Sequence, residues 1–452
     1  MSKIKQSLMM IPALMLCINF AEAQQLSLKE CLQYALENNR NIAISKYSEM
    51  AGEEKVKETR ALALPQVNAN ANLTDNLKRQ VLVLPAEFVG GETGTFTTIM
   101  AGTKYSAGAS AEATQQVFNQ SVFTGLKAAK ASRDYYAVNT QLTEEEVINQ
   151  VAHAYYSVLI TREQIGFQNT NIKNLEQLVT TTQAQFELGL SRKIDLDRIK
   201  VNLTNSKTRL TSLQNQLDIQ SNQLKLLMGM PIKSDLALKN VPLDSLEETA
   251  TGSIAAEPFN PDNLLQVKTL NVQERLYQYQ KKASIAEYYP KLSLFANYSY
   301  NSVSNNFDFL KKDGTNISYD MAAVGIRLTV PIFDGFARRA RVAQSSIDLY
   351  KLDKERENTV LQLNTVYESA RIQMINSINT INLQKENMQL AGEVYHSSKQ
   401  NFDLGLATLT DLLNAETSLV EAQNSYAQAL LNYQVAHIEM IKATGRTQSL
   451  LQ

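Results

Sequence analysis

Catalytic or metal chemistry in this chain would have to come from few side chains. Of 452 residues only three are histidine, His153, His396 and His437. They are widely separated and each sits in helical text, so they read as surface or core residues rather than ligands. No HExxH, CxxC, GxSxG or Walker-type GKS/GKT occurs. The glycines of VGGETGTF (89–96) lack the Lys and the strand–helix context of a phosphate loop. No catalytic constellation, metal site or cofactor site emerges. What the chain does have is a duplicated phrase: FELGLSRKIDL at 186–196 and FDLGLATLTDL at 402–412. Phe186 and Phe402, Gly189 and Gly405, Asp195 and Asp411 are each 216 positions apart. Whether this phrase is a site depends on the elements that hold it.

Those elements repeat as well. QVFNQSVFTGLKAAKAS (116–132) matches PIFDGFARRARVAQS (331–345), and Pro65 matches Pro290. LKLLMG and EMIKATG both close on glycine, at Gly229 and Gly445, a common helix stop. The predicted layout is a leader at 1–23, a first repeat at 24–228, a linker at 229–261, a second repeat at 262–445 and a tail at 446–452. Between Gly125 and Phe186, and between Gly335 and Phe402, there is no Pro and a single Gly, Gly166 or Gly392. Some 60 to 65 helical residues make a rod roughly 90 to 100 Å long. The returning helices carry a seam at alternating threes and fours: Leu196, Ile199, Leu203, Ser206, Leu210, Leu213, Leu217, Gln220, Leu224 and Leu227. Adding 216 gives Leu412, Ala415, Leu419, Ala422, Tyr426, Ala429, Tyr433, Ala436, Met440 and Ala443. Only Ser206 and Gln220 are polar, which is coiled-coil spacing. The phrase is then the turn of an antiparallel helical hairpin, with Gly189 and Gly405 as left-handed turn residues.

Four segments alternate instead. PQVNANANL, KYSAGASAEATQQV, KLSLFANYSYNS and MAAVGIRLTVPIF each put apolar residues on one face and polar ones on the other, with Phe295 the exception. Strands of about ten residues with this pattern suit a membrane barrel, although a soluble sheet with one wet face alternates in the same way. Long loops at 74–104 and 302–320, and aromatics near the strand ends (Tyr288, Tyr289, Tyr319, Phe333, Phe336, Phe118, Phe123), favour the membrane reading. Four strands cannot close a barrel, and open edges are not tolerated in lipid, so several chains must contribute. Arg327 and Glu112 either face the lumen or are solvated loop-end charges.

The amino terminus has Lys3 and Lys5, an apolar run from Leu8 to Phe20 and Ala21-Glu22-Ala23, the marks of a cleaved export signal. Its removal leaves Cys31 alone, read as a small core residue. A net charge of −1 argues against a nucleic-acid partner.

The order of these features resembles the TolC-like outer-membrane efflux protein family over the whole mature chain. LSLKECLQYALENN (26–39), the VFNQ and PIFDG junctions, the two FxLGL…DL turns and the stops at Gly229 and Gly445 carry the likeness. The resemblance implies an α+β membrane protein: a homotrimer with four β-strands per chain in a shared twelve-stranded outer-membrane β-barrel, continued by a trimeric α-barrel of long antiparallel coiled-coil helices. It further implies the exit duct of a tripartite efflux or type I secretion system in a Gram-negative outer membrane, extending into the periplasm. The implied partners are outer-membrane lipid, a periplasmic adaptor (membrane fusion protein) and an inner-membrane transporter of RND or ABC type, with no catalysis and no cofactor. The turns become the periplasmic tips, where the adaptor docks on Gly189, Leu190, Ser191, Arg192, Gly405 and Leu406. Asp411 matches a family aspartate that forms an acidic ring at the constriction. The next ring position is Asn414 here, and the family's Tyr/Arg latch corresponds to Phe402 and Ala407, while Asp195 retains the latch partner. A tip closed by other contacts and a weaker ion selectivity are expected.

Thr408-Leu-Thr-Asp411 also fits a helix-capping start, so cap and gate both stand for Asp411. An exported structural coiled coil, as an adhesin stalk or envelope spacer without a channel, stands as the alternative from another class.

Overall fold

The computed structural model describes residues 25–241, 259–309 and 316–451. The expected leader at 1–23 and residues 242–258 of the expected linker lie outside the described residues. In chain order the elements are α1 (Leu28–Asn38), α2 (Arg40–Ala61), β1 (Gln66–Asp75), β2 (Gln80–Pro85), β3 (Phe96–Ala101), β4 (Tyr105–Phe118), α3 (Gln120–Glu187) and α4 (Lys193–Met228). They continue with α5 (Leu265–Ala286), β5 (Lys291–Ser304), β6 (Ile317–Thr329), α6 (Ala337–Asp403) and α7 (Leu409–Ala443). Among the described residues no helix is long and apolar enough to cross a membrane. The chain forms two compact units, each drawing on both halves of the sequence. One holds the described parts of Met1–Ile42, Glu144–Phe259 and Thr365–Gln452, the other Ala43–Thr143 and Asn260–Asn364.

The first unit is helical. Every seam position of α4 from Leu196 to Leu227, and of α7 from Leu412 to Ala443, is buried or half-buried. The two polar seam residues are matched by the outward helix. Gln220 Oε1 accepts from Thr161 Oγ1 at 2.7 Å, and the Ser206 carbonyl accepts from Gln168 Nε2 at 3.0 Å. Partners on α4 fall in number as those on α3 rise, so the two helices run antiparallel. A slip along the seam would take Gln220 and Gln168 away from these partners, so they help fix the register. In α7, Tyr426 and Tyr433 alternate with Ala429 and Ala436 against Met374, Ile381 and Ile160. Cys31 is fully buried among Leu32, Ala35, Leu224 and Met228, and burial pushes its thiol up to about 12.

The break between α1 and α2 has a local cause. Asn39 is extended, and its Oδ1 accepts from the N–H groups of Asn41 (2.8 Å) and Ile42 (3.2 Å), starting α2. Its Nδ2 donates to the Leu227 carbonyl at 2.6 Å, tying the break to the end of α4. There Gly229 ends the helix in the left-handed conformation, and a side chain on it would run into the Asn38 carbonyl.

The second unit carries a four-stranded antiparallel sheet in the order β1-β4-β5-β6. Its register aligns the alternating faces across all four strands, as in Ala71↔Ala109↔Tyr300↔Asp320 and Asn68↔Glu112↔Asn297↔Ala323. One face is therefore largely apolar and the other largely polar. Phe295, the residue out of step, is accommodated by its neighbours on β6. It stands opposite Gly325, where a Cβ would fall 2.7 Å from the Phe295 ring, and the Arg327 guanidinium stacks 4.9 Å from the ring centroid. The ring is a platform on the polar face.

Three details differ from the sequence reading, the first being that β5 runs on to Ser304 and β6 begins at Ile317, so both take residues from the expected loop at 302–320. The segment 74–104, expected as a loop, contains the β2–β3 hairpin, because QVLVLP and FTTIMA are apolar and β-branched without alternating. β6 ends at Thr329, short of Val330 and Ile332, because Pro331 has no N–H to continue the ladder.

Candidate functional site

The two tips lie in the helical unit. α3 and α6 end the same way: Gly189 N–H donates to the Phe186 carbonyl (2.9 Å) and Leu190 N–H to Gln185 (2.8 Å), while Gly405 N–H donates to Phe402 (2.9 Å) and Leu406 N–H to Asn401 (2.7 Å). Both glycines are left-handed, with φ of 76° and 74°. This pairing of bonds satisfies the last carbonyls of each helix and turns the chain sharply. It also turns the next residue outward, leaving Leu190 77% and Leu406 76% exposed beside the equally open Leu188 and Leu404.

The helices that follow start differently. In the first tip, Arg192 precedes α4 without a side-chain cap; its Nε and Nη2 instead grip Asp195 Oδ2 (2.8 Å) and Oδ1 (3.1 Å). Both oxygens of Asp195 are thus engaged within its own turn, and Ser191 is half-buried beside them. In the second tip, Thr408 and Asp411 form a capping box. Thr408 N–H (3.1 Å) and Oγ1 (2.6 Å) donate to Asp411 Oδ2, and Asp411 N–H donates back to Thr408 Oγ1 at 3.2 Å. These bonds hold the Asp411 carboxyl below the usual carboxylate range. Oδ1 has no such bond, and Asp411 shares an exposed face with Asn414, one turn further on. The cap is present, and it leaves half of the carboxylate pointing to solvent.

Phe402 packs with Leu175, Ile199, Leu409 and Leu413, and Arg198 Nη1 reaches Thr410 Oγ1 at 3.4 Å, so the two hairpins meet at the tips. An aromatic ring at 402 needs no hydroxyl for this contact. Ala407 is half-buried and offers only its backbone N–H, to the Asn401 carbonyl at 3.2 Å.

One residue escaped the sequence reading. Glu416, on α7, is 7% exposed, and burial raises its carboxyl to about 7 against the opposing pull of Lys399. It borders two polar grooves, one reaching Asn205 and Arg209 of α4, the other Tyr395, Lys399 and Asp403 of α6. Its signal was a charged residue immediately beside the seam position Ala415, a place usually left to solvent.

A family model described as outer membrane efflux protein matches residues 31–230 and 262–446. An outer membrane protein TolC of Vibrio cholerae serotype O1 is 21% identical over 424 residues, 93% of this chain and 90% of the relative. The alkaline protease secretion protein AprF of Pseudomonas aeruginosa is 22% identical over 332 residues, 71% of this chain and 66% of the relative. Among solved structures, the open state of the Neisseria gonorrhoeae MtrE outer membrane channel superposes with a TM-score of 0.68 at 18% identity, covering 92% of this chain and 88% of that one.

Proposed function

Because the chain belongs to the outer membrane efflux protein family, we propose that it is the exit duct of a tripartite efflux or type I secretion system: a passive homotrimeric channel that carries substrates from an inner-membrane pump to the exterior. Membership makes it an outer-membrane channel protein rather than an enzyme. The observation that carries the finer reading is the sheet. It has one largely apolar and one largely polar face, and among the described residues β1 pairs only with β4 and β6 only with β5. Exposed edges are too costly in hydrocarbon, and bacterial barrels have about 8 strands or more. Three chains contributing four strands each close the edges, turning the apolar face to outer-membrane lipid and the polar face to a lumen. The two-segment family match supports a repeated unit, and the paired glycine stops support its two hairpins.

At the tips, three copies of Asp411 form an acidic ring that attracts cations, with Asn414 as an uncharged second ring. Phe402 and Ala407 close the tip by packing rather than by a latch, and Asp195 stays with Arg192. Leu190, Ser191, Arg192, Leu406 and the turns at Gly189 and Gly405 form the docking surface for a periplasmic adaptor, which couples the duct to an RND or ABC transporter. Detergent extraction from outer membranes, followed by a copy count and planar-bilayer recording, tests the core of this reading. Three copies per particle with discrete conductance steps are expected; a water-soluble, non-conducting protein would sink it.

A further inference from the structure

The polar face of the sheet carries only three charged side chains, read from the register: Glu112 on β4, Lys291 on β5 and Arg327 on β6. Their placement is uneven. Lys291 pairs with Thr329, and Arg327 with Ser293, so the two cations are diagonal neighbours on adjacent strands, at the end where β5 begins and β6 stops. Diagonal neighbours in such a pair have backbone positions about 7–8 Å apart, and Arg327 leans over Phe295, on the side of Ser293 away from Lys291. Glu112 is in register with Ala323, four residues up β6 from Arg327 and two strands away. Among the described residues no carboxylate forms an ion pair with either cation.

Arg327 is also held in place. Its guanidinium lies over the Phe295 ring at 4.9 Å, and that ring fits only because Gly325 has no side chain. Stacking occupies one face of the planar cation and leaves its N–H fork in the plane, available to accept a planar or tetrahedral oxyanion. The Phe295 ring fills the space over Gly325 and meets the Arg327 guanidinium on the same largely polar face. It makes sense as a platform that keeps a long side chain from folding away.

We propose that Lys291 and Arg327 form a cationic collar on the lumenal face of the sheet, with Phe295 as the positioning residue, and that this collar selects anionic solutes such as phosphate- or carboxylate-bearing cargo. The proposal rests on the trimeric-channel reading, in which three copies bring six positive charges to one end of the polar face, as a Lys291 ring followed by an Arg327 ring. Rings of Lys and Arg are the means by which pores favour anions. The collar acts in the opposite sense to the Asp411 ring at the tips, so the duct has two charge filters of opposite sign.

Planar-bilayer recording with inorganic tripolyphosphate as the probe tests this. Wild-type channels are expected to be blocked by tripolyphosphate, with relief at high salt. The double variant Lys291→Gln/Arg327→Gln should conduct but lose the block, and its reversal potential in a KCl gradient should shift toward cation preference. Phe295→Leu keeps the charges and removes the platform, so its block should weaken without vanishing. Arg327→Lys should retain more of the block than Arg327→Gln, which keeps the test open if the double variant fails to assemble. Conducting wild-type channels that tripolyphosphate does not block, or a block unchanged in Arg327→Gln, would overturn the collar. A wild-type protein that never conducts would instead overturn the channel reading beneath it.

Discussion

Thr408 donates twice to one oxygen of Asp411 and leaves the other to solvent, so cap and ring use different halves of the same carboxylate. Two substitutions therefore separate them. Thr408→Ala removes the cap, at a cost of about 1 kcal/mol of stability, and keeps the charge. Asp411→Ala removes both. In bilayers, block by multivalent cations should persist in Thr408→Ala and decline in Asp411→Ala; the same block in both variants would reduce Asp411 to a cap. Glu416 makes a second case at this scale. Its folded carboxyl holds a proton up to about 7, whereas the unfolded chain releases it near the ordinary glutamate value of 4.5. The folded state thus binds the extra proton, and the associated stabilisation, present in full below pH 4.5, is lost as pH rises through about 7. Lys399, Tyr395 and Asp403 on α6 and Arg209 on α4 line the grooves beside it, and Lys399 opposes the shift. Glu416→Gln has no proton to lose. Its melting temperature relative to wild type should rise between pH 5 and pH 8, by the equivalent of on the order of 2–3 kcal/mol for a shift from 4.5 to about 7. A difference that stays flat across that range would mean that Glu416 is charged throughout.

The helix stops show what separates two elements with the same ending. Gly189 and Gly229 both adopt the left-handed conformation, but nothing lies within 4 Å of a Cβ on Gly189, whereas the Asn38 carbonyl occupies that position at Gly229. Gly189→Ala should cost about 1 kcal/mol, the strain of the conformation alone. Gly229→Ala should cost more, because the α1–α2 break must also move; equal shifts in melting temperature would contradict the close approach. The same contrast explains what was legible in the sequence. The 216-residue offset, the seam at threes and fours and the alternation of the strands are periodic, and each became the element it implied. The four strands and both hairpins could be read because their signals are local. Two of the unread features depend on residues outside their own segment. Phe295 looked like a fault because Gly325 and Arg327 lie on another strand. Glu416 went unread because the helices whose residues line the grooves beside it come from other parts of the chain. The β2–β3 hairpin was missed because its apolar runs lack the period that marked the others.

For the whole molecule, the edges of β1 and β6, unpaired among the described residues, decide what a single chain can do. Alone in a bilayer it would expose two rows of backbone donors and acceptors to hydrocarbon, so insertion and assembly are one event in the proposed trimer. The particle should therefore show no stable intermediate of one or two chains in detergent, a property that size analysis across a dilution series would check. The edges have a genetic consequence as well. A chain whose β1 or β6 cannot pair still presents a sound edge on its other side, and so can be taken into a ring that it then prevents from closing. If such a chain is made in equal amount with the normal one, only about one in eight randomly drawn threesomes is free of it. Lesions in the two outer strands should behave as dominant, while lesions that unfold the chain before it meets its partners should behave as recessive.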